Sequence, residues 1–465
     1  MSDVIPATAQ LVVVGAGPGG YHAAFKAAEL GLSVTLIDPA VNPGGVCLYR
    51  GCIPSKALLH VAKLVDEAHE SAAIGVTFAR PEIDIDRVRA WKDEVIGKLT
   101  GGLGQKVTQK KLTYVRGTAR LKDAHTLVVT AQDGTVGELT FEQAILATGS
   151  QPVMLPGVTK SDRIVNSTGA LELKDVPATM LVVGGGYIGL ELGSVYASLG
   201  SKVSVVEMTN GLLPGADRDL VSVLKRRLDT KFAGFKLETK VAGLKEKKDG
   251  VEVTFESAKG EQSVETFDKV LISIGRRPNT ADLGLENTAI KLDERKFVVV
   301  DGQRRTAEPN IFAIGDIAGE PMLAHKAYAE AEVAAEAAAG RKATYDPRAI
   351  PAVVFTDPEI AWCGLTETEA RAKGIKVKTA KLPWRGNGRT LTLGREDGIT
   401  KLIVDPDTDR VLGMAVAGPG AGELIAEGVL AMEMAAVSED MRRTIHPHPT
   451  LSETVYDAAQ SLFKA

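Results

Sequence analysis

The sequence predicts an α/β protein: two dinucleotide-binding units, then a separate C-terminal α+β domain. Three observations carry that prediction. A glycine fingerprint appears twice, at Gly15-x-Gly17-x-x-Gly20 and at Gly184-x-Gly186-x-x-Gly189. In both copies an acid ends the next apolar strand 23 residues after the first glycine, Asp38 in one and Glu207 in the other. From about residue 350 the pattern changes to alternating apolar strands followed by helices, which marks a different layer arrangement.

Residues 11–38 read LVVVGAGPGGYHAAFKAAELGLSVTLID. An apolar strand at 11–14 runs into the fingerprint, an Ala-rich helical stretch follows, and a second strand at 34–37 ends at Asp38. The first glycine makes the turn, the second lets backbone approach a pyrophosphate, and the third lets the helix pack on the sheet. The helix N-terminus then faces the phosphates, and the acid suits a ribose hydroxyl. Residues 181–207, LVVGGGYIGLELGSVYASLGSKVSVVE, repeat the unit with Glu207 as the acid. Both are therefore Rossmann-like. Each copy also has a closing apolar strand that ends at a glycine, Gly149 in AILATGSQP and Gly275 in VLISIGRRPN. The first copy is longer by about 43 residues, in an insertion that holds two cysteines and amphipathic stretches at 57–70 and 87–100. A third block at 310–340 reads as a strand, a Gly315-Asp316 turn and an Ala-rich helix beginning near Met322. The expected division is 1–152 and 153–277 for the two dinucleotide domains, 278–349 for a central segment completing the first site, and 350–465 for the last domain.

The bulk numbers narrow the function classes. The chain has 465 residues, 44% hydrophobic and 25% charged, with a net charge of -4. That length suits about three domains. Nothing in the charge pattern asks for nucleic acid or an anionic membrane. MSDVIPATAQ has neither a basic region nor an apolar core, so no signal peptide is expected, and no apolar run reaches the roughly 20 residues of a membrane span. Three cysteines fit a cytoplasmic protein, where a close pair reads as catalytic or metal-binding.

That pair is Cys47 and Cys52 in GGVCLYRGCIPSK. Zinc would need two further ligands, and none stands near in sequence. Inert core thiols and a redox pair are the other readings. Cys363, beside Trp362 on an expected strand, reads as a core thiol. Lys56 and Glu191, read alone, are unrelated charges. In HPHPTLSE, Pro447 and Pro449 disfavour helix and hold His448 on an extended stretch, and Thr450-x-x-Glu453 is a capping box for the helix that follows.

Over essentially its whole length the chain resembles the flavin disulfide reductases and, within them, looks like the dihydrolipoamide dehydrogenases. The matching pieces are GGVCLYRGCIPSKALLH, GGGYIGLELGSVYASLGSKVSVVEM, IGRRPNT, IFAIGDIAGEPMLAHKA, VVFTDPEIAWCGLTETEA and HPHPTLSE. The resemblance implies FAD in the first domain and NAD in the second. It implies that Cys47 and Cys52 form a redox disulfide, with Cys47 as the interchange thiol and Cys52 against the flavin. Lys56 would lie under the flavin, paired with Glu191. Asp316 would bind ribityl hydroxyls, and Met322, Ala324 and His325 would complete that site with Gly149. His448 would be the general base, Glu453 its orienting partner, and His446 structural. No metal is implied. The implied partners are a second copy of the chain, sharing active sites, and the lipoyl domains of 2-oxo acid dehydrogenase acyltransferases or the glycine cleavage carrier protein. The first strand starts after about ten residues, so a fused lipoyl domain is not expected. Glutathione reductase-like and mercuric reductase-like enzymes are the alternatives. The first would want arginines after the second acid, where the chain reads VVEMTNGLLPG, and the second extra C-terminal cysteines, where it reads AAQSLFKA. Two departures from the family stand out: Tyr49-Arg50 between the cysteines, and Pro447 in place of a small residue.

Overall fold

The structure is a computed structural model that describes residues 4–463. It divides into two compact units. The first is assembled from Met1–Ala57, Asp84–Val153 and Gly275–Asp346. Its sheet is built on strand Thr8–Val14, which pairs in parallel with Val34–Asp38 on one side and Val136–Leu146 on the other. Thr113–Asp123 extends the sheet beyond Val34–Asp38, and Ile311–Ala313 beyond Val136–Leu146, both in parallel. An antiparallel excursion through Thr126–Ala131 joins Thr113–Asp123 to Val136–Leu146.

Alternation explains why the first strand is apolar at every position. Leu11 and Val13 enter one core, and Val12 and Val14 enter the core on the other face. Such two-faced burial gives a continuous hydrophobic run. Helix Pro18–Glu29 starts at an extended Gly17, with Pro18 in its first turn, where a missing N–H costs nothing. It ends at Gly31, φ +91°, the left-handed residue that commonly closes helices. It packs on helix Ala324–Ala338, and Ala23, Ala24, Ala27, Ala331, Ala334 and Ala335 share one core. Small side chains on both helices permit that close approach. The sequence places the start of the second helix near Met322; the observed start is Ala324, because Leu323 is still extended.

The insertion is helical: Gly45–Arg50, Cys52–Glu70 and Ile85–Gln109. Both long helices outrun the amphipathic stretches read from sequence. Cys52–Glu70 begins directly after Gly51, and Asp84 starts the last helix by accepting a hydrogen bond from Arg87 N at 3.0 Å.

The second unit comprises Leu58–Ile83, Met154–Ile274 and Pro347–Ala465. Its parallel sheet runs Gly234–Lys236, Lys202–Val206, Thr179–Val183, Lys269–Ile272, Ile164–Asn166. An antiparallel excursion of three strands, Thr239–Lys247, Gly250–Ser257 and Gln262–Phe267, precedes the closing strand. The C-terminal part is an antiparallel sheet of Ala352–Val354, Glu359–Gly364, Val411–Gly418, Ile399–Val404 and Lys378–Pro383. Helices Ala421–Glu433, Ser438–Arg443 and Glu453–Ser461 complete it. Cys363 lies in its core with Met414 and Met432, and burial pushes the thiol up to about 12, as expected of an inert thiol. Among the described residues no helix is long and apolar enough to cross a membrane.

Candidate active site

The two fingerprints fold alike. Gly15 and Gly184 take positive φ, +96° and +105°. A Cβ on Gly20 would collide with the Gly15 carbonyl oxygen, and one on Gly189 would come to 2.5 Å from the Gly184 oxygen. Gly17 and Gly186, by contrast, have no atom within 3.5 Å of a hypothetical Cβ, so each presents an open edge. The helices after them, Pro18–Glu29 and Tyr187–Leu199, carry no side-chain cap. An uncapped helix start beside an open glycine fits a pyrophosphate.

Both acids hold the turn they follow. Asp38 Oδ2 accepts from Ala16 N at 2.7 Å and Oδ1 from Ala40 N at 2.9 Å. Glu207 Oε2 accepts from Gly185 N at 2.7 Å, and Oε1 accepts from Thr209 N and Oγ1 at 2.8 and 2.9 Å. A carboxylate has about four acceptor positions, so each keeps capacity for a ribose hydroxyl. The nearest arginine after Glu207 is committed elsewhere: Arg218 donates to the carbonyls of Leu212, Leu213 and Ala216. Glu191, on the second fingerprint helix, is buried and accepts from Phe355 N at 2.9 Å.

The thiol segment is seated on the first fingerprint. Gly44 N donates to Ala16 O at 2.8 Å, and Gly45, φ +57°, lies so close to Gly17 that a Cβ would strike its backbone. Cys47 sits half-buried in helix Gly45–Arg50, and Cys52 opens the 19-residue helix Cys52–Glu70. Both are thiols. A hydrogen bond with Cys52 and then burial raise Cys47 far above the ordinary thiol range, while the Lys56 charge pulls the other way. The positive end of the long helix favours negative charge at Cys52. In the reduced pair the thiolate is thus disfavoured at Cys47. Lys56 lies one helical turn beyond Cys52. Arg50 is exposed, and Tyr49 donates to Asn42 O at 3.0 Å, bracing the loop.

The closing segments pair with each other in the first unit: Ser150, Gln151 and Pro152 oppose Pro278, Arg277 and Arg276. Gly149 and Gly275 both have positive φ, +72° and +123°. Thr148 and Asn279 exchange side-chain-to-carbonyl hydrogen bonds of 2.9 Å. Asp316 accepts from Ser150 Oγ, which in turn accepts from Arg276 Nε at 2.8 Å. Met322 is half-buried, and Ala324 and His325 open the Ala-rich helix, His325 exposed. Sequence reasoning missed Ser150 and Arg276. Their only signal was that IGRRPN and ATGSQP are similar segments, and it gave no hint that the two pair.

In the second unit His448 is exposed, and its Nδ1 pairs with Glu453 Oε1 at 2.8 Å. That contact engages one of the two ring nitrogens. Glu453 Oε2 accepts from Thr450 N at 2.8 Å. That backbone bond first, and His448 second, hold the Glu453 carboxyl below the usual range. The expected capping box is only half formed: Thr450 Oγ1 bonds Pro447 O and Ser452 Oγ instead of the helix, because Pro449 and the Ser452 cap position move the helix start to Glu453. His446 is held by Glu427 Oε1 at 2.8 Å and Thr444 O at 2.9 Å. The one acidic group with metal-like spacing among the described residues, Asp217, Asp219 and Glu367, already surrounds Lys401 Nζ at 2.7–2.9 Å.

Comparison with known proteins agrees with this arrangement. The chain is 49% identical to the dihydrolipoyl dehydrogenase of Vibrio cholerae over 97% of its own length and 95% of that protein. It is 46% identical to the dihydrolipoyl dehydrogenase of Geobacillus stearothermophilus, over 97% and 95%. Among solved structures, LpdA from Mycobacterium tuberculosis superposes with a TM-score of 0.91 at 28% identity, covering 98% of this chain and 100% of that one. The flavoprotein disulfide reductase RclA from Escherichia coli gives 0.86 at 30%, covering 98% and 100%. The profile of the pyridine nucleotide-disulphide oxidoreductases matches residues 9–331, and that of their dimerisation domain matches 350–459. Two fingerprints, a thiol pair on the first and a dimerisation domain at the end make one conclusion: the chain belongs to the pyridine nucleotide-disulphide oxidoreductase family.

Proposed function

We propose that the chain is a dihydrolipoyl dehydrogenase, oxidising dihydrolipoyl groups to lipoyl with FAD in the first fingerprint and NAD⁺ in the second. The observation that carries the reading is the seating of Gly45 on Gly17, which puts Cys47 and Cys52 beside a turn built for a dinucleotide. His448, held by Glu453, removes a proton from one substrate thiol. The resulting thiolate attacks Cys47 Sγ in the Cys47–Cys52 disulfide and expels Cys52 as thiolate. The second substrate thiol gives up its proton as its sulfur closes the cyclic disulfide, and Cys47 leaves with that proton as a thiol while His448 keeps the first. When bound, the flavin carries the electron pair from the dithiol to the nicotinamide. Asp38, Gly149 and Asp316 with Ser150 would hold FAD; Glu207, with Gly184, Gly186 and Gly189, would hold NAD and exclude a 2′-phosphate.

The family's dimerisation domain supports a homodimer, and His448 and Glu453 lie inside it. In this reading each active site combines the thiols of one subunit with His448 of the other. The substrate arm belongs to a lipoyl domain on another polypeptide, and the setting is the cytoplasm. The four-part division at 152, 277 and 349 belongs to the same proposal. Steady-state rates with dihydrolipoamide, reduced glutathione and mercuric ion test it. Turnover confined to dihydrolipoamide with NAD⁺ is expected; faster turnover of either other substrate overturns it. His448→Ala should slow the dithiol half-reaction by roughly two to four orders of magnitude while leaving the flavin spectrum unchanged.

A further inference from the structure

Glu330 is fully buried on helix Ala324–Ala338 and takes no part in the chemistry above. Its Oε2 accepts from Gly315 N at 2.7 Å. Its Oε1 meets Lys326 Nζ at 3.1 Å and Arg304 Nη1 at 2.9 Å. Lys326, 4% exposed, then reaches past it and donates to Gly315 O at 3.1 Å and Gly319 O at 2.8 Å. Gly315 and Gly319 bracket the single turn Gly315–Ala318, and both have positive φ, +74° and +119°. Such a turn has no regular ladder to fix it. One helix thus supplies both an anion for its first N–H and a cation for its first and last carbonyls. Asp316 is the side chain the turn presents.

We propose that Lys326 and Glu330 are positioning residues that clamp the Gly315–Gly319 turn so that Asp316 is fixed for the flavin. The inference rests on the FAD reading of the first fingerprint. A buried ion pair is seldom retained for stability, since apolar residues of equal volume serve as well or better. Here each charge is spent on backbone groups of one turn, which an apolar pair cannot hold. Arg304 plays a different part. It neutralises Glu330, donates to Asp301 O at 3.0 Å and stacks over Tyr345, 4.7 Å from the ring centroid, so its side-chain hydrogen bonds go to Glu330 and Asp301 and not to the turn's backbone. The clamp and its support can therefore be separated.

The test uses the holoenzyme, with flavin release followed by the rise in FAD fluorescence and stability by thermal unfolding. Glu330→Gln keeps the shape but removes the charge from the Gly315 N–H and from Lys326. It is expected to raise the flavin dissociation constant by about tenfold or more, the scale of a lost charged hydrogen bond, and to shift the flavin absorption envelope, with KM for NAD⁺ unchanged. Lys326→Met should do the same. Arg304→Gln should lower the unfolding temperature while changing flavin affinity less than about twofold. If Glu330→Gln fails to fold, Lys326→Met against Arg304→Gln decides. Flavin loss that follows the unfolding temperature in all variants overturns the clamp, as does an unchanged dissociation constant in Glu330→Gln. A parent protein that takes up no FAD instead overturns the functional reading, leaving the two failures distinct.

Discussion

The two dinucleotide units share a turn and an acid but differ in what covers them. In the first, the thiol helix lies on the fingerprint, Gly45 against Gly17. In the second, loop residues take that place: Leu213 N donates to Gly185 O at 2.9 Å, and a Cβ on Gly185 would come to 2.7 Å from Leu212. The loop is itself braced by Arg218 through three carbonyls. One chassis thus accepts two covers. In the proposed function the cover with sulfur is the site of electron exchange. The apolar, braced cover shapes a pocket for a coenzyme that binds and leaves.

The sharpest way to separate the units is to add one methyl to each. Gly20→Ala puts a Cβ inside the Gly15 carbonyl, where backbone must yield, so the cost should exceed the ~1–3 kcal/mol usual for overpacking and the protein should purify without flavin. Gly189→Ala meets the Gly184 oxygen and the rotatable Ser273 hydroxyl, each at 2.5 Å. It should remain yellow and show a raised KM for NAD⁺. Equal flavin loss in both variants would erase the distinction.

The second unit also has an ionic anchor where the helix after its acidic strand begins. Lys401, wholly buried, binds Asp217, Asp219 and Glu367. Lys401→Met leaves buried Asp217 without a cation, and Asp219 and Glu367 with Lys381 alone, and should cost about 3–5 kcal/mol in denaturant unfolding at neutral pH. Burial alone would raise the Asp217 carboxyl, but Lys401 and Thr368 outweigh it and bring it from 3.8 to about 2. A group with a lowered folded value stabilises above its unfolded value, and the contribution fades as pH falls through the folded one. The parent should therefore lose stability between about pH 4 and pH 2 with a steeper slope than Asp217→Asn. Parallel slopes would remove Asp217 from the acid response.

The smallest effect belongs to the acids. Glu207→Arg should erode the preference for NAD⁺ over NADP⁺ by roughly tenfold, the scale of one charge-assisted hydrogen bond, with flavin content unchanged. An unaltered ratio of kcat/KM values would leave Glu207 as a brace for Gly185 alone.

Much of this architecture is legible in sequence because its signals are local. The strand at residues 11–14, the glycines and the acid all lie within one short unit, and burial on both faces forces an unbroken apolar run. The cysteine segment is legible through its spacing and its resemblance to relatives. Other features rest on contacts between distant residues. Lys326 and Glu330 stand at i, i+4 spacing, which by itself reads as an exposed helix pair; only the fold shows them buried on Gly315. Lys401 gives no local sign that Asp217 and Glu367 await it. Thr450-x-x-Glu453 was half legible: Glu453 accepts from Thr450 N as a capping box requires and meets His448 as the resemblance implies, but Thr450 Oγ1 turns to Pro447 O and Ser452 Oγ.

The outermost strand of each parallel sheet has a consequence for synthesis. In the second sheet that strand, Ile164–Asn166, precedes the fingerprint; in the first sheet it is Ile311–Ala313, which follows the entire second copy. A chain leaving the ribosome from its N-terminus can finish the later sheet once residue 272 has emerged. The earlier one must wait with the edge of Val136–Leu146 uncovered until residue 313. An open edge of apolar strand is where wrong partners join. Of the two parallel sheets, the one begun first is thus the one completed last, and the Ala-rich helix that follows its final strand is the piece that covers it.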